Sequence, residues 1–188
     1  EPVALKSLSW AEFQEHLASP PKGAKFTIVD AWATTCGPCK ENFPHLVEMH
    51  AKYASKGLAV VSLSLDDVED PKALADAEKF LREKRATFTN VLLKEEFGAG
   101  FEKLDVSAIP AVFLYGPDGK EVKRFTMDDP NNQFTYDEVE KEVVARLGGS
   151  KGPWAPLRRC DTMTTWAASG RTGAASLLTE PSRKDGRR

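Results

Sequence analysis

Two short apolar runs with a helical stretch between them constrain this chain more than any other feature. "KFTIVDAW" at 25–32 and "LAVVSLSL" at 58–65 are rich in β-branched residues and read as buried strands. From Gly37 the apolar spacing turns helical, with Phe43, Leu46, Val47 and Ala54 on one face up to Gly57. Strand, helix and strand at this spacing form a βαβ unit, and a helical crossover forces the two strands to pair in parallel.

The flanking segments extend this core. Ser9 followed by Glu12 makes a capping box, after which Trp10, Phe13 and Leu17 stand at helical spacing. Asp70 and Pro71 resemble an N-cap and first helical residue, opening a helix to about Arg85 with Leu74, Ala77 and Leu81 inward. A weaker helix is expected around 94–104, interrupted by Gly98 and Gly100. "AVFLYG" and "EVKRFT" flank Pro117-Asp118-Gly119, a hairpin signal. Thr135 and Glu138 cap a last helix with Val139, Val143 and Leu147 inside. The class is α/β with an antiparallel edge.

Beyond Leu147 the character changes. Of the forty residues from Gly149, twenty-two are Gly, Pro, Ser, Thr or Ala, and eight Lys or Arg oppose three acids. A domain over 1–148 and a basic, disordered tail over 149–188 are expected. The tail takes +5 of a net charge of −2, so the body carries −7. That body is a poor nucleic-acid binder, and no nucleic-acid partner is expected. No apolar run approaches the ~20 residues that span a bilayer. The chain begins at Glu1 without a charged segment leading into an apolar one, so any signal or membrane anchor is expected outside it.

Cys36 and Cys39 enclose Gly37 and Pro38 where the first strand meets the helix. Zinc needs four ligands, and this pair supplies two. Cys160, His16, His45 and His50 are the other candidates, without a second pair at ligand spacing, so no metal is expected. A structural staple closing two intervening residues would remove little entropy from the unfolded chain. A working dithiol has a positive physical case. A sulfur at a helix N-terminus meets unpaired amides and the macrodipole, both of which favour thiolate. Cys36 would then attack and Cys39, about one turn further in, would resolve the mixed disulfide. The redox-active disulfide itself is the expected cofactor, with no other.

"AWATTCGPCK" resembles the thioredoxin signature, and the resemblance covers residues 5–148. It implies that Asp30 is the buried carboxylate assisting proton transfer from Cys39, that Pro44 kinks the helix, and that Ile109-Pro110 is a cis-proline loop facing the dithiol. The backbone of Ile109 would pair with client main chain. Trp32, Thr35, Gly37, Pro38, Ile109 and Pro110 are the expected client-contact residues, Trp32 packing under the site first and touching client second. The helix over 71–86 and the "GPDGK" hairpin are more like the exported TlpA/ResA-like thiol-disulfide oxidoreductases. The expected fold is thioredoxin-like, a central mixed sheet with flanking helices and an inserted one. The resemblance implies reduction of client protein disulfides by a monomer fed by an upstream thiol reductant. It also implies a periplasmic or otherwise extracytoplasmic location in preference to the cytoplasm.

Three positions depart from the pattern. Thr35 replaces a Trp before the first cysteine, Ser62 replaces a Lys beside the carboxylate, and Asn42 replaces a Glu two before the helix proline. A peroxiredoxin needs Thr or Ser three before its attacking cysteine and Pro seven before it, where this chain has Ala33 and Val29. A non-catalytic interaction module with an incidental dithiol is the alternative from a different class.

Overall fold

The computed structural model describes residues 3–148 except Phe97. The expected tail over 149–188, with Cys160, lies outside the described residues. Six strands are present: β1 Leu5–Leu8, β2 Phe26–Trp32, β3 Leu58–Ser64, β4 Thr89–Leu93, β5 Ala111–Tyr115 and β6 Glu121–Phe125. The helices are α1 Trp10–Ala18, α2 Gly37–Tyr53, α3 Pro71–Glu83, α4 Ala99–Leu104 and α5 Tyr136–Gly148. The sheet order is β1-β4-β3-β2-β5-β6. β1 through β2 in that order pair in parallel, whereas β5 is antiparallel to β2 and β6 to β5.

Pleating of β2 divides the core. Ile28 and Trp32 face one side, packed with Cys39, Phe43 and Leu46 of α2, Ala77 and Leu81 of α3, and Val139 and Val143 of α5. Val29 and Ala31 face the other, against Phe13 and Leu17 of α1 and Leu104 of α4. Asp30, two residues from each of Ile28 and Trp32, shares their face and so points toward the α2 and α5 side.

Several elements differ from expectation. β1 and β4 carry no strand signal in the sequence: β1 has four half-buried or exposed residues, and β4 is five residues long with Asn90, a weak strand former, at its second position. The helix expected from 94 begins at Ala99, because Gly98 sits in the left-handed region with φ 86°. Ala54 belongs to a 3₁₀ turn after α2 and is exposed, while Met49 supplies the buried contact one turn earlier. The hairpin tip needs its glycine twice over. Gly119 has φ 73°, and a Cβ there would come within 2.7 Å of the Ala18 Cα at the end of α1.

Candidate active site

The dithiol is built by the end of β2 and the start of α2. Cys36 is the N-cap of α2 with extended backbone, and its sulfur accepts from the Cys39 amide at 3.2 Å. Gly37 and Pro38 fill the first helical positions, where proline's missing N–H would have had no partner in any case. Cys36 is partly exposed, whereas Cys39 is buried in the core. The two sulfurs form a disulfide with Cα atoms 5.3 Å apart. An amide aimed at Cys36 and the positive end of a seventeen-residue helix both favour negative charge on that sulfur.

Ile109-Pro110 is a cis peptide at the entry to β5. Because β5 runs antiparallel to β2, its first residues lie at the end where β2 delivers the cysteines, and Ile109 O stands 3.8 Å from Cys36 Sγ. Ile109 is half-buried and Pro110 buried. The loop before Cys36 is tied down from β3. Asp66 accepts from the Thr34 amide at 2.9 Å and hydroxyl at 2.6 Å, and from Ser64 Oγ at 2.7 Å. Thr34→Val keeps shape and removes one bond to a carboxylate, so it should cost about 1–2 kcal/mol. A lower urea midpoint with unchanged slope would register that cost; an unchanged midpoint would show that the hydroxyl adds nothing.

Asp30 is 1 % exposed. Burial pushes its carboxyl up to about 7, opposed by a hydrogen bond from Tyr136 Oη to Oδ2 at 2.8 Å. Oδ1 is buried and has no protein hydrogen-bond partner among the described residues. Ser62 stands beside Asp30 in the β2–β3 register but donates to Asn90 Oδ1 at 2.8 Å. The hydrogen-bond partner of this carboxyl is therefore a phenol from α5, and β3 supplies no cation to it, because Ser62 is the register neighbour of Asp30. Burial, the Asp30 charge and the donated bond all push the Tyr136 hydroxyl upward, so it remains a donor.

The structure gathers Cys36, Cys39, Thr35, Gly37, Pro38, Ile109 and Pro110 around one end of the sheet, with Asp30 beneath. Trp32, at 0 % exposure between Phe43 and Phe80, packs under the site, the first of its two expected roles; the second, client contact, is corrected, because a fully buried indole presents no surface to a client. Thr35 is exposed and helps line a groove of about 360 Å³ whose other wall is α3, with Ala73 and Phe80. A larger cleft of about 630 Å³ is lined by Thr27, Leu58 and Thr89 at the starts of their strands, opposite the dithiol. Asn42 turns back on α2 and donates to Pro38 O at 2.9 Å. Tyr136 and Asp66 are the site residues that sequence reasoning missed. Tyr136 is three before Val139 and four further from Val143, which the helical spacing could have caught. Asp66 follows the end of a parallel strand, where loops of such sheets converge.

This fold and dithiol define a thioredoxin-fold redox protein. The chain belongs to the AhpC/TSA family, whose profile matches residues 4–124. Among curated proteins it is similar to the thiol-disulfide oxidoreductase ResA of Bacillus subtilis, 28% identical over 102 residues, 54% of this chain and 53% of that protein. A Geobacillus thermodenitrificans ResA is 28% identical over 119 residues, 63% of this chain and 64% of that one. The chain thus spans about half to three-fifths of the length of the curated relatives it matches. Among solved structures, a Chlorobium tepidum protein carrying the name thiol:disulfide interchange protein DsbE is 31% identical with TM-score 0.53, covering 68% of this chain and 83% of that one. A thiol:disulfide interchange protein from Bacteroides sp., 20% identical with TM-score 0.53 over 71% of this chain and 80% of its own, shares the fold.

Proposed function

We propose that this protein is a thiol-disulfide oxidoreductase that reduces disulfides of client proteins. The observation that carries this reading is the cysteine pair itself: a partly exposed sulfur capping α2, a buried partner one turn in, and a cis-proline loop 3.8 Å away. In the reduced protein the Cys36 thiolate attacks one sulfur of a client disulfide, forming a mixed disulfide and expelling the other client sulfur as thiolate. Cys39 then gives up its proton, and its sulfur attacks Cys36 Sγ. The client leaves with two thiols, and Cys36–Cys39 closes as found here. Two electrons pass to the client, and an upstream dithiol must return them.

Asp30 is the base for the second step, being a buried carboxylate on the side of β2 that packs against Cys39. Thr35, Gly37, Pro38 and Ile109 form the client-facing surface, with main-chain pairing at Ile109 and the buried Pro110 shaping the loop that carries it. Residues 1–148 act as the redox domain, and 149–188 as an appended tail. Similarity to ResA supports an extracytoplasmic, anchored setting; among the described residues no helix is long and apolar enough to cross a membrane. Ala33 and Val29 stand where a peroxiredoxin needs its Thr or Ser and its Pro, which argues against peroxide chemistry.

Insulin reduction with dithiothreitol as donor tests the reading, with protein alkylated at both cysteines as control. The reduced protein should accelerate insulin precipitation well beyond the control, and limited iodoacetamide should label Cys36 before Cys39. No acceleration over the alkylated control would leave a binding module with an incidental dithiol, and labelling of Cys39 first would reverse the two roles.

A further inference from the structure

The buried carboxylate of Asp30 has two oxygens in unlike surroundings. Oδ2 accepts from Tyr136 Oη at 2.8 Å, while Oδ1 has no protein partner among the described residues. Tyr136 itself is held firmly. It is the first residue of α5, directly after a capping box in which Glu138 accepts from the Thr135 amide at 2.8 Å. Its ring lies 5.6 Å from that of Phe134 and stacks on that of His45 at 5.5 Å. The phenol is therefore anchored independently of the carboxylate it contacts.

We propose that Tyr136 is a positioning residue of the redox site, occupying Oδ2 of Asp30 so that Oδ1 alone receives the Cys39 proton. The inference rests on the oxidoreductase reading above. In the resolving step the S–H bond of Cys39 breaks and an O–H bond forms at Oδ1. The carboxylate becomes a neutral acid as the sulfur becomes a thiolate. Tyr136 can donate to Oδ2 before and after that transfer, so the carboxyl need not rotate as its charge changes. A group already oriented for both states avoids reorganisation at the moment of reaction. The phenol also favours the ionised form, opposing desolvation and keeping the base usable near neutral pH. The titratable group in contact with Asp30 is Tyr136 from α5, with His45 of α2 stacked on the phenol; Cys39 of α2 packs in the same core layer as Ile28 and Trp32, the β2 residues on either side of Asp30, and titrates only once the disulfide is reduced. β3 and β5 present Ser62 and Val112, which do not titrate.

Tyr136→Phe tests this while retaining the ring contacts. With the Asp30 carboxyl followed by carbon NMR in the oxidised full chain, its titration midpoint should rise by a unit or more. The acid limb of the insulin-reduction profile should move up with it, and turnover at pH 6.5 should fall tenfold or more, the scale of losing a bond to a charged group. In an Asp30→Asn background the same change should cost no further turnover. In wild type, the Tyr136 Cζ resonance should titrate with the Asp30 midpoint, a readout needing neither variant nor activity. A flat Cζ resonance or an unmoved Asp30 midpoint in Tyr136→Phe would overturn the assignment. A moved midpoint without any insulin reduction by wild type would instead defeat the oxidoreductase reading and leave the Tyr136–Asp30 contact in place.

Discussion

Asp30→Asn should slow disulfide turnover by about 10²–10⁴-fold near neutral pH, the range spanned by positioned acid–base groups. Resolution of the mixed disulfide requires Cys39, which is 1 % exposed, to lose a proton away from bulk water. Asp30 lies under that end of the sheet with its carboxyl pushed up to about 7 by burial, a match to the working pH of a general base. Attack by Cys36 does not use that carboxyl, so single-turnover formation of the mixed disulfide should change far less. Equal turnover of both proteins from pH 6 to 8 would return Asp30 to the role of a buried structural polar residue. Stability supplies an independent check whose sign follows from linkage. A carboxyl raised from 3.8 to about 7 keeps its proton in the folded protein where the unfolded chain has released it. Stability therefore falls as pH rises through that window and levels off above it. Asp30→Asn removes the slope, so the two proteins should converge near pH 4. Above pH 7 the variant should be the more stable, by roughly 4 kcal/mol as an upper bound at 1.36 kcal/mol per unit.

Trp32→Ala should cost about 3–5 kcal/mol of folding stability, the usual toll of emptying a large aromatic site in a core. The indole is fully buried, 5.5 Å from the ring of Phe43 and 5.0 Å from that of Phe80, which are themselves 5.0 Å apart. That triangle joins β2 to α2 and to α3, so the loss should loosen the inserted helix and the helix carrying the cysteines together. Urea unfolding would measure it as a large fall in midpoint. A change under about 1 kcal/mol together with a raised KM for client would mean that Trp32 meets the client after all.

Local pattern carried some of this architecture and was blind to the rest for identifiable reasons. β2 and β3 were legible as continuous apolar, β-branched runs and α2 by its helical spacing, and the hairpin because Pro117-Asp118-Gly119 names its own turn. β1 and β4 are four and five residues long, too short for a period to emerge from neighbouring polar residues. At the site, the cysteines, Asp30 and the cis-proline loop could be read from a motif with fixed spacing. Tyr136 lies 106 residues from Asp30, and Asp66 lies 32 from Thr34; pairings of that span are set by topology and leave no local trace. For Trp32 the packing role is the one its burial supports and the second expected role, client contact, is not, because a motif records proximity to the cysteines but not how deeply a residue is packed.

The place of β2 in the sheet also bears on how such a protein can change over evolutionary time. Paired along its length with β3 on one side and β5 on the other, it presents Asp30 from a position that surface substitutions do not reach. Thr35 and Ile109 lie in loops at the same end of the sheet, and Gly37 and Pro38 open α2 beside them. Under the proposed function, client preference can therefore change at these positions by single steps while the buried carboxylate is inherited unchanged.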